Sequence, residues 1–320
     1  MAGTMERFFT PGETGIAETL KREGVVFVDR LLDEERMREL RAALERYERD
    51  VLPTVPPASN ERFADGTLRC MRDLHEYEPW FAELANGPVF MDLVRSAVPW
   101  EPQVFYLETF PKPDGAAALP AHQELYTSPV DPPDFIHMWI ALTDVTAANG
   151  GLAFYRRSHR LGLAPHSSQV AESVGGRFYG VEPEILERLA RFRVEPDYPA
   201  GSAALFDCRT IHLSGPNTSG RPRPVLVIGF RGTHTSVLSE TELVTSVVAR
   251  YLREELRLDR QPVDESHDQL GGDAASAERV RRRILEEYDV APTTAEIGSL
   301  PPAGLATRVV ALLDRRPQLR

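Results

Sequence analysis

The chain has 320 residues, 42% hydrophobic and 27% charged, which is length enough for one large domain or two small ones with a real core. A formal charge of −11 disfavours nucleic acid and anionic membranes as partners, and no stretch approaches the roughly 20 apolar residues of a membrane-spanning helix. Two cysteines, Cys70 and Cys208, cannot build a disulfide framework or a cysteine-only zinc site. The opening MAGTMERFFTPGETG has no apolar core after a basic start, so no secretory leader is expected and a reducing cytoplasm is.

In chain order, Gly24-Val25-Val26-Phe27-Val28 reads as a buried strand between two helices, the second capped by Asp33 with Glu34 and Glu35 in its first turn. Residues 52–66, rich in Pro and small polar residues, read as a loop, and helices follow around Trp80–Leu84 and Val89–Val98. From about residue 102 the apolar period changes to two. Strands are expected at Gln103–Phe110, Phe135–Thr143, Leu152–Tyr155, Phe192–Val194, Ala203–Phe206 and Val225–Phe230. In the second of these, Ile136, Met138, Ile140 and Leu142 take one face and His137, Trp139 and Ala141 the other.

Residues 163–182, rich in Ser and Gly, interrupt the strands and read as a segment that could cover a site. A helix over Glu240–Leu256, a polar linker Asp259–Ala275 and helices at Ala277–Tyr288 and Leu305–Leu313 close the chain. The expectation is a mainly β barrel or sandwich with flanking helices over 1–235, and a helical extension over 236–320. Short helices must bury their apolar stripes, against the core, over the site, or in a homodimer through the C-terminal helices.

The chemistry gathers in two places. In extended chain, positions i and i+2 face one way, so His122 and Glu124 of His122-Gln123-Glu124 can converge on one ion. With His212 from the segment after Ala203–Phe206 they form two imidazoles and a carboxylate, the facial arrangement of non-haem Fe(II) oxygenases. Arg223, eleven residues beyond His212, offers a fork for the far carboxylate of a dicarboxylate bound to the metal, with Arg221 as its neighbour on the same side. Only Lys21 and Lys112 are lysines among the 37 basic residues, so arginine is background here and the coding bias reads as high-GC and bacterial.

Taken in order, these residues resemble the phytanoyl-CoA dioxygenase-like family of Fe(II)/2-oxoglutarate oxygenases. The resemblance runs from Gly24 to about Arg231, roughly two-thirds of the chain. It rests on the strand Trp139-Ile140-Ala141-Leu142-Thr143-Asp144, the turn Asn149-Gly150-Gly151-Leu152, the stretch Ser158-His159-Arg160-Leu161-Gly162, and His212-x-Ser214-Gly215-Pro216-Asn217-x-Ser219 followed by Arg223.

It implies a double-stranded β-helix (jelly-roll, cupin-like) core with His122, Glu124 and His212 as iron ligands. Arg223 becomes the 2-oxoglutarate anchor, assisted by Ser214, with Gln103 and Tyr106 as further co-substrate candidates. Fe(II), 2-oxoglutarate and O₂ would then oxidise a small molecule, most simply by hydroxylation, as in bacterial specialised metabolism. Desaturation, cyclisation and epoxidation start from the same chemistry.

The family normally has Asp where Glu124 stands. Clavaminate synthase-like relatives use His-x-Glu, and halogenases carry a small residue there, so Glu124 argues against halogenation. Arg156-Arg157 replaces the usual Pro-Gly and reads as a solvated turn, as do His159 and His166. Asp207 either orients His212 or closes a turn, and Cys208 belongs to no nucleophile motif. Two other readings use the same residues: a non-catalytic binding protein on this scaffold, and a zinc hydrolase with the same three ligands.

Overall fold

The computed structural model describes residues 7–63 and 65–315, so residues 1–6, part of the segment read for a leader, lie outside the described residues. The chain forms two compact units. The first takes the chain up to Ala164, then Ala171–Gly175 and Pro183–Thr235; the second takes Pro165–Val170, Gly176–Glu182 and the chain from Ser236.

The first unit is built on an eight-stranded sheet. Its order is β1 (Phe8–Phe9), β2 (Val25–Val28), β13 (Ala203–Asp207), β8 (Phe135–Ala141), β15 (Val225–Gly232), β5 (Pro102–Thr109), β4 (Leu68–Met71) and β3 (Asn60–Arg62). A four-stranded sheet has the order β12 (Arg193–Val194), β9 (Leu152–Tyr155), β14 (His212–Ser214) and β6 (Leu119–His122). Short elements α6 (Glu124–Thr127), β7 (Val130–Asp131) and α7 (Pro183–Leu189) complete the connections.

The alternation along β8 decides the layers. Ile136, Met138, Ile140 and Leu142 join a core with residues of α1 (Ile16–Glu23), α2 (Glu34–Arg46), α3 (Leu74–Tyr77), α4 (Pro79–Ala85) and α5 (Pro88–Ala97), which cover one face of the large sheet. Trp139 and Ala141 face the other way, into a second core with Phe27, Phe206 and, from the small sheet, Leu152 and Phe154. Phe154 is fully buried, and burying such a side chain is worth about 1.5–3 kcal/mol. This second core lies between the sheets of a double-stranded β-helix, and it is the layer that opens onto the site.

Local chemistry sets the ends. Asp33 caps α2, its carboxylate accepting from Arg36 N at 2.8 Å. Gly24 ends α1 at φ 81°, where a Cβ would lie 2.4 Å from His159 Nδ1, so only glycine fits the helix-to-strand turn. Residues 52–66 are less open than their composition suggests: short helical turns lead into β3, which pairs with β4. Strands β6 and β14 were not legible either. They are three or four residues long and exist through pairing with each other and, for β14, with β9.

In the second unit, β10 (His166–Ala171) pairs with β11 (Gly176–Val181) as a two-stranded ladder, followed by β16 (Ser236–Val237). Helix α8 (Glu240–Leu256) packs against α9 (Ala274–Tyr288) and α11 (Pro302–Leu313), and α9 against α10 (Thr294–Ser299). Val248, Leu252, Val280, Ile284, Leu305 and Val309 are fully buried, so most of the apolar stripe on each of the three long helices is covered, while Leu285 stays exposed. Tyr179 of β11 meets Tyr288 of α9 at 5.9 Å between ring centroids.

Two expectations change here. The segment 163–182 is largely part of this second unit. The linker after α8 is not uniformly polar and exposed, because His267 is buried with Nε2 2.9 Å from Ser276 Oγ. Among the described residues no helix is long and apolar enough to cross a membrane.

Candidate active site

His122 ends β6, and Gln123 stays extended at φ −123° and ψ 135° before Glu124 opens α6. The i, i+2 convergence therefore survives although the strand stops at His122. His212 is the register partner of His122 across the β6–β14 ladder, with ring centroids 4.3 Å apart. His212 Nε2 is 3.1 Å and His122 Nε2 3.6 Å from Glu124 Oε1. One donor atom from each of the three residues lies within 4.8 Å of the other two. Backbone carbonyls fix the rings from behind, Pro120 O at 2.9 Å from His122 Nδ1 and Thr210 O at 3.1 Å from His212 Nδ1. That contact leaves Nε2 of each ring turned toward Glu124 Oε1.

Gln123 supports the pair without joining it. Its Nε2 donates to Gly162 O at 2.9 Å, and its Oε1 accepts from Ala164 N at 2.7 Å. Burial opposes the charge on Glu124, but His137, His122 and His212 together outweigh it and hold the carboxyl well below its ordinary range. Burial likewise lowers His212, with His122 adding to the effect. The three side chains are thus two imidazoles and a carboxylate, donor types that suit a divalent cation.

Two residues on from His212, Ser214 shares its strand face, about 6.6 Å along the chain. Its hydroxyl is where two cations meet: Lys112 Nζ at 2.9 Å and Arg223 Nη2 at 3.5 Å. Arg223 is 4% exposed, its guanidinium over the Trp139 ring at 5.5 Å, and its Nε is buried with no hydrogen-bond partner. Among the described residues neither cation has a carboxylate within 4 Å. Burial pulls Arg223 down to about 10, while burial and then Arg223 pull Lys112 down to about 7. A buried guanidinium and a half-buried ammonium beside a hydroxyl, with no carboxylate to pair them, form a candidate anion pocket.

Arg221 is exposed, so the two arginines are told apart by burial. Tyr106 enters the site, its hydroxyl 2.8 Å from His137 Nδ1. Gln103 lies elsewhere on β5, opposite Arg231, and its amide donates to Gly232 O at 3.5 Å. Asp207 closes a turn by accepting from Arg209 N at 2.8 Å and from the Arg209 guanidinium. Arg157 pairs with Glu23 at 3.0 Å, and His159 Nε2 lies 3.1 Å from Lys21 O. His166, read as a turn or surface residue, is instead fully buried on β10. Cys208 is buried, which pushes its thiol well above its ordinary value and leaves it inert.

Three side chains at the site were not legible as part of it. Lys112 stands ten residues before His122 in a Pro-rich turn, with nothing but its rarity to mark it. In sequence His137 reads only as sharing a strand face with Trp139, as a core or a pocket-lining residue, yet its Nδ1 is 3.4 Å from Glu124 Oε1. Glu108 lies on the same side of β5 as Tyr106, paired with Arg72 at 2.5 Å, and burial raises it to about 7.

The phytanoyl-CoA dioxygenase (PhyH) family model matches residues 20–225, nearly two-thirds of the chain. The chain is 27% identical over 231 residues to L-proline trans-4-hydroxylase of Streptomyces griseoviridis, covering 67% of this chain and 85% of that protein. It is 25% identical over 242 residues to ectoine dioxygenase of Streptomyces coelicolor, covering 71% and 80%. Among solved structures, EctD from S. alaskensis with 2-oxoglutarate and 5-hydroxyectoine superposes at a TM-score of 0.58 and 20% identity, over 70% of this chain and 77% of that one. The α-ketoglutarate-dependent epimerase SnoN from nogalamycin biosynthesis superposes at 0.55 and 19%, over 69% and 83%.

Proposed function

The chain belongs to the phytanoyl-CoA dioxygenase family, and from that membership we propose that it is an Fe(II)- and 2-oxoglutarate-dependent oxygenase acting on a small molecule. The observation that carries the reading is the pairing of two sites on one strand. His212 of β14 belongs to the His-Glu-His donor set, and Ser214 two residues on belongs to the pocket of Lys112 and Arg223. Relatives named for work on proline and ectoine support a small substrate, and hydroxylation is the outcome that the proline relative's name states.

The residues present fit the iron and the co-substrate. His122, Glu124 and His212 would hold Fe(II) on one face and leave the other open. Arg223 and Lys112, with Ser214 between them, would hold the far carboxylate of 2-oxoglutarate. When bound, iron and 2-oxoglutarate together supply the oxidising power for attack on an unactivated C–H bond. The protein fixes the two histidines through backbone carbonyls and neutralises the dicarboxylate with these two cations. The apolar second core, with Phe27, Phe154 and Phe206, keeps the layer beside the metal donors dry.

The reaction is assigned to the first unit. The second buries most of its own helical stripes and serves as structural support rather than as a source of ligands. Two buried free thiols, Cys70 and Cys208, suit a reducing cytoplasm.

The test is iron-dependent release of succinate from 2-oxoglutarate under O₂. The wild-type chain should release succinate slowly even without substrate, and His212→Ala should not. Wild-type-like turnover by His212→Ala, or turnover with zinc in place of iron, overturns the proposal.

A further inference from the structure

Glu124 has one methylene more than the aspartate usual in this family, and hence one more side-chain torsion to hold before its carboxylate can serve as a ligand. Two contacts restrain it. Glu124 Oε2 accepts from Thr127 Oγ1 at 3.2 Å, one turn along α6. Glu124 Oε1, the oxygen facing His122 and His212, also lies 3.4 Å from His137 Nδ1.

His137 is not a fourth member of the donor set. The mutually adjacent donor atoms are those of His122, Glu124 and His212, and the His137 ring is 6.2 Å from that of His212. It stands behind the carboxylate. The imidazole is 7% exposed and packs on Phe206 at 4.6 Å with 30° between the planes. Tyr106 Oη fixes its edge at 2.8 Å from the same Nδ1. A bare Nδ1 would aim its lone pair at the charged Oε1, so the neutral tautomer with hydrogen on Nδ1 is the one that fits between phenol and carboxylate.

Resting on the iron-oxygenase reading above, we propose that His137 is a positioning residue for the metal site: its single Nδ1–H, shared between Tyr106 Oη at 2.8 Å and Glu124 Oε1 at 3.4 Å, restrains the longer carboxylate in its ligating conformation. Outer partners of this kind restrain a ligand whose own torsions do not. Such a role explains why a third histidine and a tyrosine stand on the two strands that flank β15 at this point, His137 on β8 and Tyr106 on β5, both paired with Gly229. A Cβ at Gly229 would lie 2.7 Å from the Tyr106 ring, so glycine there makes room for the phenol.

The experiment measures anaerobic Fe(II) affinity and the visible charge-transfer absorption of the Fe(II)–2-oxoglutarate complex in the full chain, with thermal unfolding as the control for folding. His137→Ala should weaken Fe(II) binding about 10- to 100-fold and shift the band, and His137→Asn, which keeps an N–H donor, should recover part of the loss. The decisive arm repeats His137→Ala in a Glu124→Asp chain, where the shorter carboxylate needs less restraint and the loss should shrink severalfold. Should His137→Ala not fold, Tyr106→Phe in both backgrounds reads the same coupling.

Equal losses in the two backgrounds overturn the proposal, as does an unchanged band, or metal binding abolished as completely as by His212→Ala, which would make His137 a ligand. A wild-type chain that shows no band at all overturns the oxygenase reading and this inference with it. A wild-type band insensitive to His137 overturns this inference alone.

Discussion

Lys112 and Arg223 exchange both hydrogen bonds of an isolated antiparallel bridge, Arg223 N to Lys112 O at 2.8 Å and Lys112 N to Arg223 O at 3.1 Å. Residues paired in this way send their side chains to the same side of the ladder. Two positive charges are thus fixed beside each other by backbone, which is unfavourable unless an anion completes the pocket.

The first prediction separates the two arginines. Arg223→Ala should weaken 2-oxoglutarate binding by about 2–5 kcal/mol, the cost of leaving a buried carboxylate unpaired, which is about 30- to several-thousand-fold. Arg221 is exposed, and Arg221→Ala should leave binding within about twofold. A larger effect at Arg221, measured as KM for 2-oxoglutarate, refutes the assignment.

Lys112 makes that binding depend on pH. Its ammonium is pushed down to about 7, first by burial and then by Arg223. In the unfolded chain the group stays protonated to about pH 10.4. The unfolded state therefore binds more protons between about pH 7 and pH 10, and this residue's contribution to stability rises with pH across that window. A bound dicarboxylate favours the protonated form, so 2-oxoglutarate should bind most tightly below about pH 7. Affinity should fall by up to about tenfold per pH unit above it. Lys112→Met should bind more weakly at low pH and flatten the profile in anaerobic titration; an unchanged profile shows that Lys112 does not face the co-substrate.

Glu23 accepts from Arg157 at 3.0 and 3.1 Å, and the guanidinium holds its carboxyl down to about 2. A depressed carboxyl contributes stability above its unfolded value of about 4.3, and loses it as pH falls through the folded one. Glu23→Gln should therefore lower Tm at pH 7, modestly because the paired arginine is half-exposed. The difference should close as the pH approaches 2. Parallel melting profiles for the two chains from pH 7 to pH 2 would show that the pair does not act this way.

A chain ending near residue 258 tests the second unit. It would strip Val248 and Leu252 of α8 of their neighbours on α9 and α11. The shortened chain should keep its Fe(II) affinity but melt at lower temperature or associate through the uncovered face, as read by calorimetry and size-exclusion chromatography. A chain that stays equally stable and monomeric yet loses all turnover identifies α9–α11 as part of the catalytic apparatus.

What the sequence disclosed and what it withheld divide along physical lines. The faces of β8 could be read because alternation is local and each face has its own core. The His122–Glu124 pair could be read because extended geometry needs no partner. Lys112 could not, since its approach to Arg223 depends on a bridge between residues more than a hundred positions apart. His137 could be placed on the inner face by period, but its distance from Glu124 is set by the packing of one sheet on the other. Helix α10 was missed although Thr293 and Glu296 spell a capping box, because its six residues carry too little apolar period to stand out.

The register partnership of His122 and His212 also bears on how the chain matures. The two residues are roughly ninety positions apart and come together only when β6 and β14 pair. Closing so long a loop is a late event, since its entropy must be met before the contact returns anything. Half-made chains thus present at most the local His122–Glu124 pair, and the complete donor set appears only with the finished sheet. Metal would then act as a latch on the native state, adding stability in proportion to the logarithm of its free concentration.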